Sequence, residues 1–166
     1  MSIARKTNTE QPPRRDAPPL PLGDALDFLR RLWRLDHALE RVSRRMERDL
    51  GVTAQQRLIV RCIGKYPGVT AGQLAELLHV DPGTMSSALS RLVQKRLVRR
   101  RRDPVDKRRL TLALTETGRA LDVPTVKTIE AAVQVLLARS TAAEKRAGIA
   151  LLERFVGILE GVLDDG

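Results

Sequence analysis

Between residues 53 and 81 the chain carries three helix starts in succession, and straight after the third helix it begins to alternate like a strand. Thr53 with Gln56, and Thr70 with Gln73, have capping-box spacing: the hydroxyl accepts from a backbone N–H three residues on, and the glutamine reaches back. Asp81 precedes Pro82, an N-cap followed by the one helical position where a missing N–H costs nothing. The first helix is expected to run to about Lys65 and to be closed by Pro67-Gly68. The second passes through Leu74, Leu77 and Leu78, and Val80 begins a tight turn. The third spans 81–95, with Met85, Leu89, Leu92, Ala88 and Val93 turned inward. Residues 97–102 then lead into Asp103-Pro104-Val105-Asp106, a turn with Asp first and Pro second. Residues 109–115 return with period two, Leu110, Leu112 and Leu114 on one face and Thr111 and Ala113 on the other.

The flanks are helical. Leu22, Leu26, Leu29 and Trp33 form one stripe; Leu32, Leu35, Leu39, Val42 and Met46 form a second beside it. Together they give residues 24–49 a wide apolar face, ended by Gly51. A further helix begins at Thr115. Pro124 removes a hydrogen bond and crowds the preceding turn, so a kink or restart is expected there, with helix continuing over 125–139. Thr141 with Glu144 is a third capping box, opening a last helix through Ile149, Leu152, Phe155, Val156, Leu159 and Leu163. Residues 1–22 hold five of the nine prolines and few large apolar groups, and read as a disordered tail.

Lys plus Arg is 30 against 20 Asp plus Glu, a net charge of +10. The excess is local. Residues 91–109 hold ten basic side chains and two acidic ones, a net +8 in 19 residues, whereas 116–166 carries six basic and eight acidic. Such clustering is the footprint of a polyanion partner, double-stranded DNA before an anionic membrane. The alternative is a solvated surface without a partner. A membrane role would need the charges on an amphipathic helix, and these lie mostly on a hairpin. The four aromatics argue against RNA readers that stack bases on aromatic platforms.

Helix, turn, helix and basic hairpin together define a winged helix-turn-helix: a mainly α chain with a small β wing, here joined to further helices. In a helix-turn-helix the second helix enters the major groove. Its outward positions are Thr84, Ser86, Ser87, Ser90, Arg91 and Gln94. Small hydroxyls permit close approach, and Arg91, Gln94 and the following Lys95 reach base edges or phosphate. The helix starts near Thr70 and Asp81 offer N–H groups to phosphate. The plainer alternative is that the serines only solvate one face.

Asp103-Pro104-Val105-Asp106-Lys107-Arg108-Arg109, followed by Leu112-Ala113-Leu114-Thr115-Glu116-Thr117-Gly118, resembles the wing of MarR-type transcription regulators. Thr70-Ala71-Gly72-Gln73-Leu74-Ala75 and Thr84-Met85-Ser86-Ser87 fit the same family's helix-turn-helix. The resemblance covers about residues 24–163 and implies a dimeric regulator. It gives Arg108 the minor groove, flanked by Lys107 and Arg109, and gives Asp106 the task of holding Arg108. It also implies a small aromatic effector in a crevice that Trp33, His37, Arg57 and Cys62 approach. Each of the four has a plainer reading, Trp33 as core and Cys62 as a buried inert thiol. Two positions depart from the family: Arg96 stands where Gly often ends the recognition helix, so a differently shaped turn is expected, and Ser87 stands where a basic residue is common.

The expected organisation is a tail over 1–22, a winged helix-turn-helix over 51–115, and a helical dimerisation region over 23–50 and 116–166. Apolar helices of this kind, unneeded by one winged helix, would bury their stripes in a two-fold bundle and make a homodimer. The function expected is a dimeric regulator, most simply a repressor, reading a pseudo-palindrome; a non-specific architectural DNA binder is the alternative, and a helical module binding an acidic protein a second one. One cysteine excludes an intrachain disulfide framework, and His37 and His79 lack partners at metal-ligand spacing, so no metal or cofactor is expected. No nucleophile–base pair or phosphate loop points to an enzyme. With no apolar run of about eighteen residues and no apolar segment near the start, a soluble cytoplasmic protein is expected.

Overall fold

The computed structural model describes residues 22–103 and 105–164. The expected tail over 1–22 falls almost entirely outside them. Among the described residues there are seven helices and two strands: α1 (Asp24–Leu50), α2 (Ala54–Lys65), α3 (Ala71–Leu77), α4 (Pro82–Gln94), β1 (Val98–Arg102), β2 (Leu110–Leu114), α5 (Glu116–Leu121), α6 (Ile129–Arg139) and α7 (Ala142–Asp164). No helix among them is long and apolar enough to cross a membrane.

The chain divides into two compact units between residues 36 and 37, inside α1. The first unit's described part is the opening of α1, where Asp27 pairs with Arg30 and Arg31 one turn on. Exposed pairs of this spacing support a helix only weakly. Trp33 is 63% exposed, so it is not core within one chain.

The second unit holds the core, whose buried cluster runs from Val52 through Ile59, Leu74, Met85, Leu89 and Leu92 to Leu112 and Leu114. All three capping boxes form with the hydroxyls and side chains expected of them. Asp81 accepts from the Thr84 N–H at 2.9 Å. Both turns after α3 and α4 are Schellman motifs. The N–H of Val80 reaches Ala75 and that of His79 reaches Glu76; Leu97 reaches Leu92 and Arg96 reaches Val93. His79 (φ 48) and Arg96 (φ 56) take the left-handed position that glycine usually fills. The turn at Arg96 therefore keeps the glycine shape, against the expectation of a different one. Val93 is exposed and not inward.

β1 and β2 pair antiparallel, Val98 opposite Leu114 and Arg102 opposite Leu110. The Leu112 N–H also donates to the Val69 carbonyl at 2.9 Å, so one backbone hydrogen bond ties the α2–α3 link to β2, a contact the sequence pattern does not show. Along β2 the expected alternation fails at one end. Leu110 is exposed near the wing, whereas Thr111 is buried and donates to the Arg101 carbonyl.

Leu97, Thr115 and Gly118 meet where α4, the wing and α5 converge. The Thr115 N–H and hydroxyl both donate to the Leu97 carbonyl, and the hydroxyl also reaches the Arg96 carbonyl at 2.6 Å. A Cβ on Gly118 would stand 2.0 Å from that Leu97 oxygen, so only glycine fits.

Pro124 breaks the next helix. α5 stops at Leu121, and helix resumes only at Ile129, capped by Thr128, four residues later than expected. Two arginines of α2 hold the break. Arg57, wholly buried, donates to the carbonyls of Leu121 and Val123, each at 2.7 Å, and pairs with Glu130 at 2.9 Å. Arg61 donates to the Asp122 carbonyl and pairs with its carboxylate. Gly64 leaves room for that carboxylate, which a Cβ would strike. α6 has no buried residue, and large apolar side chains on α1, α6 and α7 are exposed in the single chain.

Gly118→Ala should lower stability by about 1–3 kcal/mol through overpacking, read as a lower urea midpoint at unchanged slope. Arg57→Ala should cost about 3–5 kcal/mol, because it leaves the carbonyls of Leu121 and Val123 and the Glu130 carboxylate without their shared donor; a loss below 1 kcal/mol would mean the break is held by other contacts.

Candidate nucleic-acid interface

The outward face of α4 is built from short polar side chains because its inward positions, Met85, Leu89 and Leu92, leave a one-sided stripe. Thr84, Ser86, Ser87, Ser90, Arg91 and Gln94 are all exposed. Ser90 returns its hydroxyl to the Ser86 carbonyl, which keeps that flank low. Hydrogen bonds from Thr84, side chain and backbone, hold the Asp81 carboxyl below its ordinary value, so the cap is ionised at neutral pH.

Two residues expected at this surface are engaged elsewhere. The Lys95 ammonium donates to the Gly51 carbonyl at 2.7 Å and to Gln56, tying the end of α4 to the α1–α2 link. The Thr70 hydroxyl is held within its own capping box, and α3 is only seven residues long.

The wing turn is organised by its two aspartates. Asp103 accepts from the N–H groups of Val105 at 2.8 Å and Asp106 at 3.1 Å, as an Asx turn does. Those bonds hold its carboxyl below the ordinary value. Asp106 accepts from the Arg108 backbone N–H at 3.0 Å. It thus positions the main chain of Arg108; no ion pair joins the two side chains among the described residues. Val105 stands 93% exposed near the tip.

Among the described residues Arg99, Arg100, Arg101, Arg102, Lys107 and Arg108 make no side-chain hydrogen bond or ion pair. Arg109 differs: its guanidinium donates to the Gln73 side chain at 3.1 Å, and Gln73 also receives the Thr70 N–H. The wing, where its turn enters β2, is so fastened to the start of α3, a link no local pattern in the sequence announces.

Of the four residues expected around an effector crevice, His37, Arg57 and Cys62 lie in the second unit. Arg57 is buried with all three guanidinium nitrogens bonded to Glu130, Leu121 and Val123, and a ligand would have to displace those partners. Cys62, partly buried, lines a cavity of about 360 Å³ with Leu58, Arg61, Lys65 and Asp122. Burial pushes its thiol above the ordinary value, so it is protonated at neutral pH. Trp33 belongs to the other compact unit, and His37 to this one. No three metal-ligating side chains gather among the described residues.

A helix-turn-helix whose second helix shows a polar face beside an arginine-rich hairpin is a winged-helix protein. Residues 50–109 match the family model described as the MarR family. The chain is 30% identical over 128 residues to the uncharacterised HTH-type transcriptional regulator YybA of Bacillus subtilis, covering 77% of this chain and 85% of that one. It is 31% identical over 105 residues to the HTH-type transcriptional repressor Mb2911 of Mycobacterium bovis, covering 63% and 76%. Among solved structures it is similar to MepR of S. aureus in a DNA complex, at a TM-score of 0.64 and 21% identity, covering 80% of this chain and 95% of that one. The chain belongs to the MarR family of transcription regulators.

The wing's amide resonances report its turn directly. Because the folded Asp103 carboxyl titrates below 3.8, its contribution is complete above that value and is lost as pH falls through its own lower one. The Val105 and Asp106 amide shifts should therefore move with a midpoint below 3.8 in an NMR titration, and a midpoint at or above it would contradict the Asx turn.

Proposed function

We propose that this chain is a homodimeric repressor that seats α4 in the major groove and the wing in the adjacent minor groove of each half of a pseudo-palindromic operator. The observation that carries this is the wing's run of basic side chains without protein partners, beside a helix face of serine, threonine, arginine and glutamine. Unpaired arginines on a protruding hairpin repel one another, and phosphate offsets that repulsion. On α4, Arg91 and Gln94 have the chemistry to read guanine and adenine edges. Arg108 leads at the tip with Lys107, in a groove whose narrowing at A·T runs strengthens its negative potential.

The dimer draws support from the apolar side chains left exposed along α1, α6 and α7, such as Leu136, Ile149, Leu152 and Val156. Two-fold symmetry would set two recognition helices about one helical turn, roughly 10 bp, apart. The repressor sign is supported by the Mycobacterium bovis relative, an HTH-type transcriptional repressor. Modulation by a small aromatic effector belongs to the same reading, and the cavity beside Cys62 is its support on this unit.

Titrating the full chain with the duplex just upstream of its own gene, against unrelated duplex, tests the reading. The expectation is a specificity ratio of roughly 10³ or more, a mass of two chains in sedimentation, and for Arg108→Ala at least a tenfold weaker affinity with a salt slope shallower by about 1. Equal affinity for both duplexes would make the protein an architectural binder instead. A monomer at micromolar concentration would overturn the dimer.

A further inference from the structure

Strand alternation divides the arginines of β1 between two faces. Arg99 lies opposite Ala113 and Arg101 opposite Thr111, so these two share a face; Arg100 and Arg102 lie opposite Leu112 and Leu110, on the other. At about 3.3 Å per residue, Arg99 is roughly 10 Å farther from the wing tip than Arg102. Arg99 and Arg101 point to a different destination from the tip residues. With Arg119 of α5 they line a cavity of about 300 Å³, whose remaining walls include Ile63, Pro67, Ala113 and Leu114.

The charge in this cavity is unbalanced. None of the three arginines has an ion pair among the described residues, and Arg119 makes only one long hydrogen bond, 3.4 Å to the Leu114 carbonyl. One acid, Asp122, borders the cavity, and its carboxylate already accepts from Arg61 at 2.7 Å. Three guanidinium groups around one hollow repel each other unless an oxyanion enters, and their planar forks suit carboxylate and phosphate. The apolar wall suits an organic body over a bare inorganic ion, and the volume is that of a small-molecule site.

We propose that this cavity binds a small organic polyanion, carrying a phosphate or paired carboxylates, gripped between Arg99 and Arg101 of the wing and Arg119 of α5. Arg119, on α5, lies outside the operator-reading surface. A bound anion bridges the wing to α5, the helix that ends at the break held by Arg57 and Arg61.

Isothermal titration of the full chain with phenyl phosphate and, separately, with citrate, in chloride buffer at constant ionic strength, tests this. The expected result is one saturable binding event per chain. It should weaken at least tenfold in Arg119→Ala and in the double variant R99A/R101A, and stay within twofold in Arg108→Ala; thermal melts confirm that each variant is folded. The tighter of the two probes tells a phosphate ligand from a carboxylate one. Arg119→Ala should also keep operator affinity within twofold, so the site stands or falls apart from the operator reading. Absence of saturable binding by either probe overturns the proposal, and so does equal weakening by Arg108→Ala and Arg119→Ala, which would mean diffuse attraction to the whole wing.

Discussion

One carbonyl oxygen, that of Leu97, sets the geometry on which the rest depends. It lies just past the left-handed Arg96, receives the N–H and hydroxyl of Thr115, and has Gly118 pressed against it. Recognition helix, hairpin and α5 are thereby locked at one point, each leaving in a defined direction. A buried acceptor left without its donors costs about 1–3 kcal/mol, so the three elements are held together by the penalty of separating them. The Leu-Thr-x-x-Gly stretch through which the sequence resembles its family is therefore a joint.

The second organising contact lies behind that joint. A proline in a helix leaves carbonyls without partners, and here the orphans at Leu121, Asp122 and Val123 are taken up by two arginines one helical turn apart on α2. Glu130 on the restarted helix then faces both guanidinium groups, at 2.9 and 3.6 Å. Charge buried for this purpose is costly to dehydrate and is kept because the geometry is satisfied on every side. The break thus has fixed ends, and α6 starts from a stapled corner.

Much of this was legible in the sequence because the deciding interactions are local. Caps such as Thr53 with Gln56 and Asp81 with Pro82 act over three residues, and the wing turn is written in Asp103. The charge cluster on 91–109 needs only counting. What sequence reasoning missed involves partners far apart in the chain. Nothing local ties Arg57 to Glu130, 73 residues on, or Lys95 to Gly51. The Val69 pairing has no alternating pattern to betray it, and the inward assignment of Val93 failed because the buried stripe of α4 is narrower than its apolar content.

Gln73 serves two masters. Its side-chain oxygen completes the cap at the start of α3 and also anchors Arg109 where the wing turn enters β2. A hairpin drawn outward tugs on the same oxygen that keeps the helix wound, so rocking of the finger and fraying of the first turn become one coupled motion. The finger's stiffness is then tuned by an amide 36 residues away from it in the chain.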